Sequence, residues 1–246
     1  MVKIEKGTKM KERIFKIVKN TVAHITALAG VIVILYIAFF GAVMNDSFLK
    51  DINIKIGIHE KLGMSEEDLG KVAQSMVYFT KGESDTLQVR VTMWGTERDF
   101  YNEKEILYIE DVRDLVRSVR IFVAGCGVVC ILGTIILACR KELLKLAYAY
   151  LNSLVIVAAA AAAIGLFAVA DMQAVINGFH YLFFDNDLWL MDGRKDMVVW
   201  LFTEEMYGSA IVRIGIWLGV LLVPFAGLSV WKIKKEKSYK KNGNAE

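Results

Sequence analysis

Cysteine is scarce in this chain of 246 residues. There are three, Cys126, Cys130 and Cys139, and all fall within one apolar stretch. None lies in a polar segment, which excludes a disulfide framework for any part of the chain outside a membrane. Cys126 and Cys130 share a helix face at i, i+4, but two thiols without a neighbouring histidine or acid make a poor metal site, and they read as small packing side chains. Histidine is as rare, with three residues, and no ligand cluster of suitable spacing accompanies them, so no metal and no organic cofactor is indicated. Charge is missing from the middles of the long apolar stretches: His24, Asp171 and Arg213 all sit near their ends. A transporter, a channel subunit or a proton relay would place ionisable groups at the midplane, and that class is disfavoured.

The chain has apolar surface in abundance. It is 55% hydrophobic with a single proline, and its mean hydropathy is +0.42, too apolar for an ordinary soluble domain of this length. Four windows, 22–44, 121–139, 147–170 and 210–231, are each close to the roughly 20 mainly apolar residues that cross about 30 Å of hydrocarbon. The expected class is a mainly α integral membrane protein with four transmembrane helices. The apolar run of the first window exceeds the roughly 7 to 15 residues of a signal-peptide core, and no clean small-x-small site follows it, so it reads as an uncleaved anchor.

Basic residues set the expected orientation, because short Lys- and Arg-rich flanks resist translocation. The N-terminal segment 1–21 carries Lys3, Lys6, Lys9, Lys11, Arg13, Lys16 and Lys19, the turn 140–146 carries Arg140, Lys141 and Lys145, and the tail 232–246 carries further lysines up to Lys241. All three are expected in the cytoplasm, which leaves segments 45–120 and 171–209 on the extracytoplasmic side. Topology thus accounts for the net charge of +3, and no nucleic-acid partner is implied. The basic clusters suit anionic lipid head groups.

Segment 45–120 has the pattern of a small folded α/β cap between the first two spans. Residues 52–58 (INIKIGI) and 87–94 (LQVRVTMW) alternate with period two and predict strands. Between them Ser65 is a helix N-cap candidate followed by acids, and Leu69, Val72, Ala73 and Met76 recur at helical spacing. Residues 100–120 continue the second span outward as a helix, on which Tyr108, Asp111 and Leu115 share one side. Arg113, Arg117 and Arg120 form a stripe on another. Pairing with Glu110 and Asp114 at i+3 and i+4 explains this stripe, and contact with lipid phosphate is the alternative. In the third span the run Ala158–Ala163 suits close helix packing.

The densest polar chemistry lies in residues 178–189, GFHYLFFDNDLW. Phe179, Tyr181, Phe183, Phe184 and Trp189 fit an aromatic belt at the membrane interface. His180, Asp185, Asn186 and Asp187 do not follow from a belt. A histidine at that depth, with carboxylates nearby, can take up a proton near neutral pH and pass it on.

Three stretches, SEEDLGKVAQSMVYFTKGESDTL, FYNEKEILYIEDVRDL and FHYLFFDNDLWLMDGRKDMVVWLFTEEMY, resemble in order and spacing the bacterial lipoprotein intramolecular transacylases, a family of four-span integral membrane proteins. The likeness runs from about residue 60 to 215. It implies an enzyme that moves the sn-2 acyl chain of a diacylglyceryl lipoprotein onto the α-amino group of its N-terminal cysteine, giving lyso-form lipoprotein, with diacylglyceryl lipoproteins and membrane phospholipid as partners. By this resemblance His180 matches a functional histidine, Asp111 the acid of a D-V segment, and Asn186, Trp189 and Asp196 further motif positions. The chain departs from the family pattern at Tyr108, where a second histidine is usual, at Lys195 (usually Thr) and at Thr203 (usually Pro).

The expected site therefore has His180 as proton carrier, Tyr108 as a neutral donor to the developing oxyanion, and Asp111 orienting a partner. Arg113, Phe183, Phe184, Asn186, Trp189 and Asp196 are expected to hold substrate. Tyr108 suits donation because a phenol, with an ordinary pKa near 10, is neutral at pH 7 and a poor base. The alternative is a non-catalytic or divergent relative that binds lipoprotein or phospholipid, in which Tyr108 marks the loss of chemistry.

Overall fold

The computed structural model describes residues 2–242, with side chains described for Met10 and for residues 13–240. The side chains of Lys3, Lys6, Lys9, Lys11 and Lys241, and all of 243–246, lie outside the described residues. The element order is α1 (Val2–Val43), α2 (Asp46–Lys55), α3 (Ile58–Lys61), α4 (Glu66–Lys81), β1 (Arg90–Met93), β2 (Thr96–Asp99), α5 (Glu103–Cys139), α6 (Leu143–Ala170), α7 (Met172–Phe183) and α8 (Glu204–Asn242), with a short 3-10 turn at Met197–Leu201 before α8. Among the described residues four helices are long and apolar enough to cross a membrane: α1 from Arg13, α5, α6, and α8 to Lys240. This is a mainly helical, four-span integral membrane protein.

The chain divides into two compact units, the first comprising Met1–Tyr36, Phe122–Leu166 and Gly219–Glu246. Its core joins Ala23, Ala27 and Val31 of α1 to Leu137 of α5 and to Ala149 and Tyr150 of α6. Small side chains allow this approach, since helices in lipid associate by close packing rather than by the hydrophobic effect. The tightest point is Gly133, where an added Cβ would sit 2.0 Å from Thr26 Oγ1. Cys126 and Cys130 are half-buried and Cys139 is exposed, all three as free thiols. The alanine run 158–163 departs from expectation, because it is exposed within the protein. Packing on α6 is made near its start, by Ala147, Ala149, Tyr150 and Ser153, where the Tyr150 hydroxyl donates to the Leu222 carbonyl at 3.2 Å.

The second unit, Ile37–Ile121 and Phe167–Leu218, has its own core of buried residues from α2, α4, β1, the first turns of α5 and the 3-10 turn. Its first part corrects the sequence expectation, since residues 52–58 form no strand. Asn45 caps α2 by accepting from the Phe48 amide at 2.8 Å, and Phe48, Leu49, Ile52 and Asn53 are buried. That i, i+1, i+4, i+5 set is a helical face, and with the cap it outweighs the alternation of isoleucines. Asn53, fully buried, donates to the Leu49 carbonyl at 2.8 Å and the Leu201 carbonyl at 3.3 Å.

Helix α4 starts where its sequence places it, with Ser65 Oγ accepting from the Asp68 amide at 3.0 Å and Leu69, Val72, Ala73 and Met76 all buried. The second expected strand is shorter than 87–94 and belongs to a hairpin in which Arg90 pairs with Asp99 and Met93 with Thr96. Val91 and Met93 face the core. The two turn residues, Trp94 and Gly95, have φ of 49° and 81°, the paired positive values of a type I′ turn. Asp68 ties the hairpin to α4 by accepting from the Thr92 amide at 3.2 Å. The neighbouring Lys71 ammonium holds the Asp68 carboxyl below the ordinary carboxylate range.

The start of α5 is a reciprocal cap. Asn102 Oδ1 accepts from the Glu105 amide at 2.9 Å, and Glu105 Oε2 accepts from the Asn102 amide at 2.7 Å, as in a capping box. Glu105 has no exposed surface, and its other oxygen accepts from the Val198 amide at 2.6 Å. One side chain thereby joins the head of α5 to the 3-10 turn. Glu105→Ala leaves two backbone donors without their acceptor, each costing about 1–3 kcal/mol. Thermal unfolding in detergent is expected to show a loss of about 2–6 kcal/mol, and Glu105→Gln, which keeps one acceptor oxygen, about half of that.

Candidate active site

Helix α7 delivers the histidine. Asp171 breaks the chain from α6 and caps α7 by accepting from the Ala174 amide at 2.9 Å, and the last turn of α7 carries His180. The His180 Nδ1 lies 2.8 Å from the Ile176 carbonyl oxygen, which can only accept, so Nδ1 carries the proton. In the neutral ring Nε2 is then left with a lone pair. It receives the hydroxyl of Tyr108, from one turn beyond the capping box of α5, at 3.1 Å. Two residues 72 positions apart are thus directly bonded.

Rings surround this pair. The His180 imidazole stacks with the Trp189 indole at 4.8 Å between centroids and 17° between planes, and with Phe184 at 5.6 Å and 29°. Phe184 also packs against Tyr108 at 5.8 Å. Phe184 and Trp189 are buried, and the Trp189 Nε1–H has no hydrogen-bond partner although it is buried. A buried donor without an acceptor is costly. Next to these rings Phe179, Tyr181, Leu182 and Phe183 are exposed, with Phe179 and Phe183 at 4.9 Å. They make an apolar rim beside the imidazole.

Asp111 lies three residues after Tyr108 and holds the segment that carries these rings. Its Oδ2 accepts from Asn186 Nδ2 at 2.8 Å, and Asn186 Oδ1 accepts from the Leu188 amide at 3.0 Å. The partner that Asp111 orients is therefore Asn186.

The structure brings Tyr108, Asp111, His180, Phe183, Phe184, Asn186 and Trp189 to one neighbourhood, but not Arg113 or Asp196. Arg113 lies over the Phe79 ring at 4.6 Å and pairs with Asp85 at 3.8 Å. Asp196, also buried, accepts from Asn102 Nδ2 at 2.9 Å and from the Asp192 amide at 2.7 Å, which makes it part of the support under α5. Sequence reasoning missed Asn102 and Glu105. Their Asn-x-x-Glu spacing ahead of an apolar run is the signal that could have found them.

Fold and site together define a class: a four-span membrane protein that sets one hydrogen-bonded imidazole among aromatic rings. A family model described as lipoprotein intramolecular transacylase Lit matches residues 24–207, and the chain belongs to that family. The fold is shared with the solved structure of the membrane-integral lipoprotein intramolecular transacylase Lit from Bacillus cereus, at a TM-score of 0.74 and 15% identity over 90% of this chain and 98% of that one. A variant of that protein with a histidine changed to alanine matches at a TM-score of 0.70 and 15% identity over 94% of this chain and 99% of its own. One with a histidine changed to arginine gives 0.67 and 15% over 96% and 99%. None of the curated proteins matches the chain.

Proposed function

We propose that this enzyme moves the sn-2 acyl chain of a diacylglyceryl lipoprotein to the α-amino group of the N-terminal cysteine, at the outer leaflet of a bacterial cytoplasmic membrane. Both termini are then cytoplasmic and the Tyr108–His180 site is extracytoplasmic. The lysines and arginines concentrated at 1–21, 140–146 and 232–246 support this orientation.

The observation that carries the reading is the set of two hydrogen bonds on His180, which commits Nδ1 to a backbone carbonyl and leaves Nε2 as the basic atom beside a phenol. The amine attacks the ester carbonyl within one bound molecule, so positioning alone supplies much of the rate. Nε2 takes the proton released as the new N–C bond forms and returns it to the glycerol oxygen as the C–O bond breaks. Amide and free hydroxyl result, with no net uptake or loss of a proton. Tyr108, turned from Nε2, donates to the oxyanion between these steps. The unpartnered Trp189 Nε1–H is a second donor for substrate oxygen. The exposed rings Phe179 and Phe183 seat acyl chains.

Mass spectrometry of lipoprotein N-terminal peptides, from a heterologous bacterium that lacks N-acylation, tests the reading. Expression of this chain is expected to produce a species isomeric with the diacylglyceryl form and carrying one acyl chain on nitrogen. If only the diacylglyceryl form is found although the protein is inserted, the chain is a non-catalytic relative that binds lipidated protein.

A further inference from the structure

The arginine stripe of α5 and the end of α4 border a half-open cleft of about 460 Å³, a volume within the roughly 300–1,000 Å³ usual for small-molecule sites. Lys81, Arg113, Arg117 and Arg120 line it, with Glu110 and Asp114. None of these residues takes part in the Tyr108–His180 site. The sequence pattern suggested that the arginines neutralise Glu110 and Asp114 along the helix. Among the described residues these ion pairs do not form. Arg113 pairs instead with the exposed Asp85 at 3.8 Å, Arg120 donates to the Lys81 carbonyl at 3.0 Å, and Arg117 makes no ion pair.

Two of the three arginines are held rather than loose. The Phe79 ring lies under the Arg113 guanidinium, and the end of α4 anchors Arg120, so less side-chain entropy is lost when a ligand arrives. Guanidinium groups presented in this way match phosphate oxygens in pairs.

Position along the helix selects the source of the phosphate. Arg120 directly precedes the apolar window that begins at Ile121. At about 1.5 Å per residue, Arg117 stands about 5 Å and Arg113 about 10 Å further along α5. A headgroup layer is roughly 5–8 Å thick on each side of the hydrocarbon, so the stripe spans it. Glu110 and Asp114, on the same wall, would repel a ligand of purely negative charge and attract an ammonium group beside the phosphate.

We infer that this cleft binds the headgroup of a zwitterionic phospholipid that carries a phosphate and a primary ammonium group. The arginines take the phosphate and the two carboxylates take the ammonium. The site is separate from the reaction centre and does not depend on the proposed transfer chemistry.

Native mass spectrometry of the full chain in detergent tests this, with phosphatidylethanolamine, phosphatidylglycerol and inorganic phosphate as probes. The wild type is expected to retain one phosphatidylethanolamine per chain at least about tenfold over phosphatidylglycerol. Arg117→Gln is expected to cut retention about tenfold with an unchanged unfolding midpoint, because Arg117 holds nothing else in place. A Glu110→Gln, Asp114→Asn pair is expected to remove the preference over phosphatidylglycerol. Equal retention by wild type and Arg117→Gln, or a wild-type preference for phosphatidylglycerol, overturns the proposal. Displacement of the lipid by inorganic phosphate at equal concentration overturns it too, leaving a free-anion site.

Discussion

His180→Ala is expected to lower the yield of lyso-form lipoprotein by at least about 100-fold, the lower bound of what a positioned proton-transfer group contributes. The reason is geometric. Ile176 fixes one ring nitrogen, Tyr108 addresses the other, and no second histidine stands beside them to take over the two transfers. The ring also packs against Trp189 and Phe184, so its removal could lower activity by loosening the site. The His180→Gln variant separates the two effects. It retains a planar polar side chain without a basic nitrogen, and it should be as inactive as the alanine variant while keeping a wild-type unfolding midpoint. Full activity in His180→Ala, measured as the ratio of N-acylated to diacylglyceryl peptide, would remove the imidazole from the mechanism.

Tyr108→Phe is expected to slow the reaction by about 100-fold or more, since loss of one oxyanion donor costs around 3 kcal/mol in acyl-transfer enzymes. The phenyl ring preserves the contact with Phe184, so the comparison isolates the hydroxyl. Tyr108→His reintroduces the residue usual for the family. An imidazole can still donate, so this variant is expected to be at least about tenfold more active than Tyr108→Phe. If Tyr108→Phe falls by less than about threefold, the hydroxyl has no part in stabilising the oxyanion, and the bond to His180 is only structural. Rates from initial conversion at fixed lipoprotein concentration decide this.

Legibility differed sharply between elements. The start of α4 was readable because Ser65 and its following acids act over one turn, and cap chemistry of that range is written in adjacent residues. Residues 52–58 misled for the complementary reason. Their alternation is a local pattern, whereas the face they bury is set by a cap at Asn45 and by contacts with distant α4 and Leu201. The hairpin partner β2 was missed because its four residues are all exposed and show no apolar alternation. Arg113 was expected to hold substrate, but it lies over Phe79 and pairs with Asp85, on a side of α5 turned away from Asp111, because residues two apart on a helix do not face each other.

What the sequence determined by itself was the solvent and the list of reactive groups. Four long apolar windows demand lipid regardless of how they pack, because hydrocarbon thickness sets the required length. The His180 stretch, read with its family resemblance, named the residue proposed as proton carrier. Tertiary structure alone decided which groups meet. The bond from Tyr108 to His180 and the bond from Asn186 to Asp111 join α5 to residues more than 70 positions away. Such contacts depend on how the buried Glu105 seats the head of α5 against the turn at Met197–Leu201, a long-range satisfaction of backbone donors that no local pattern encodes.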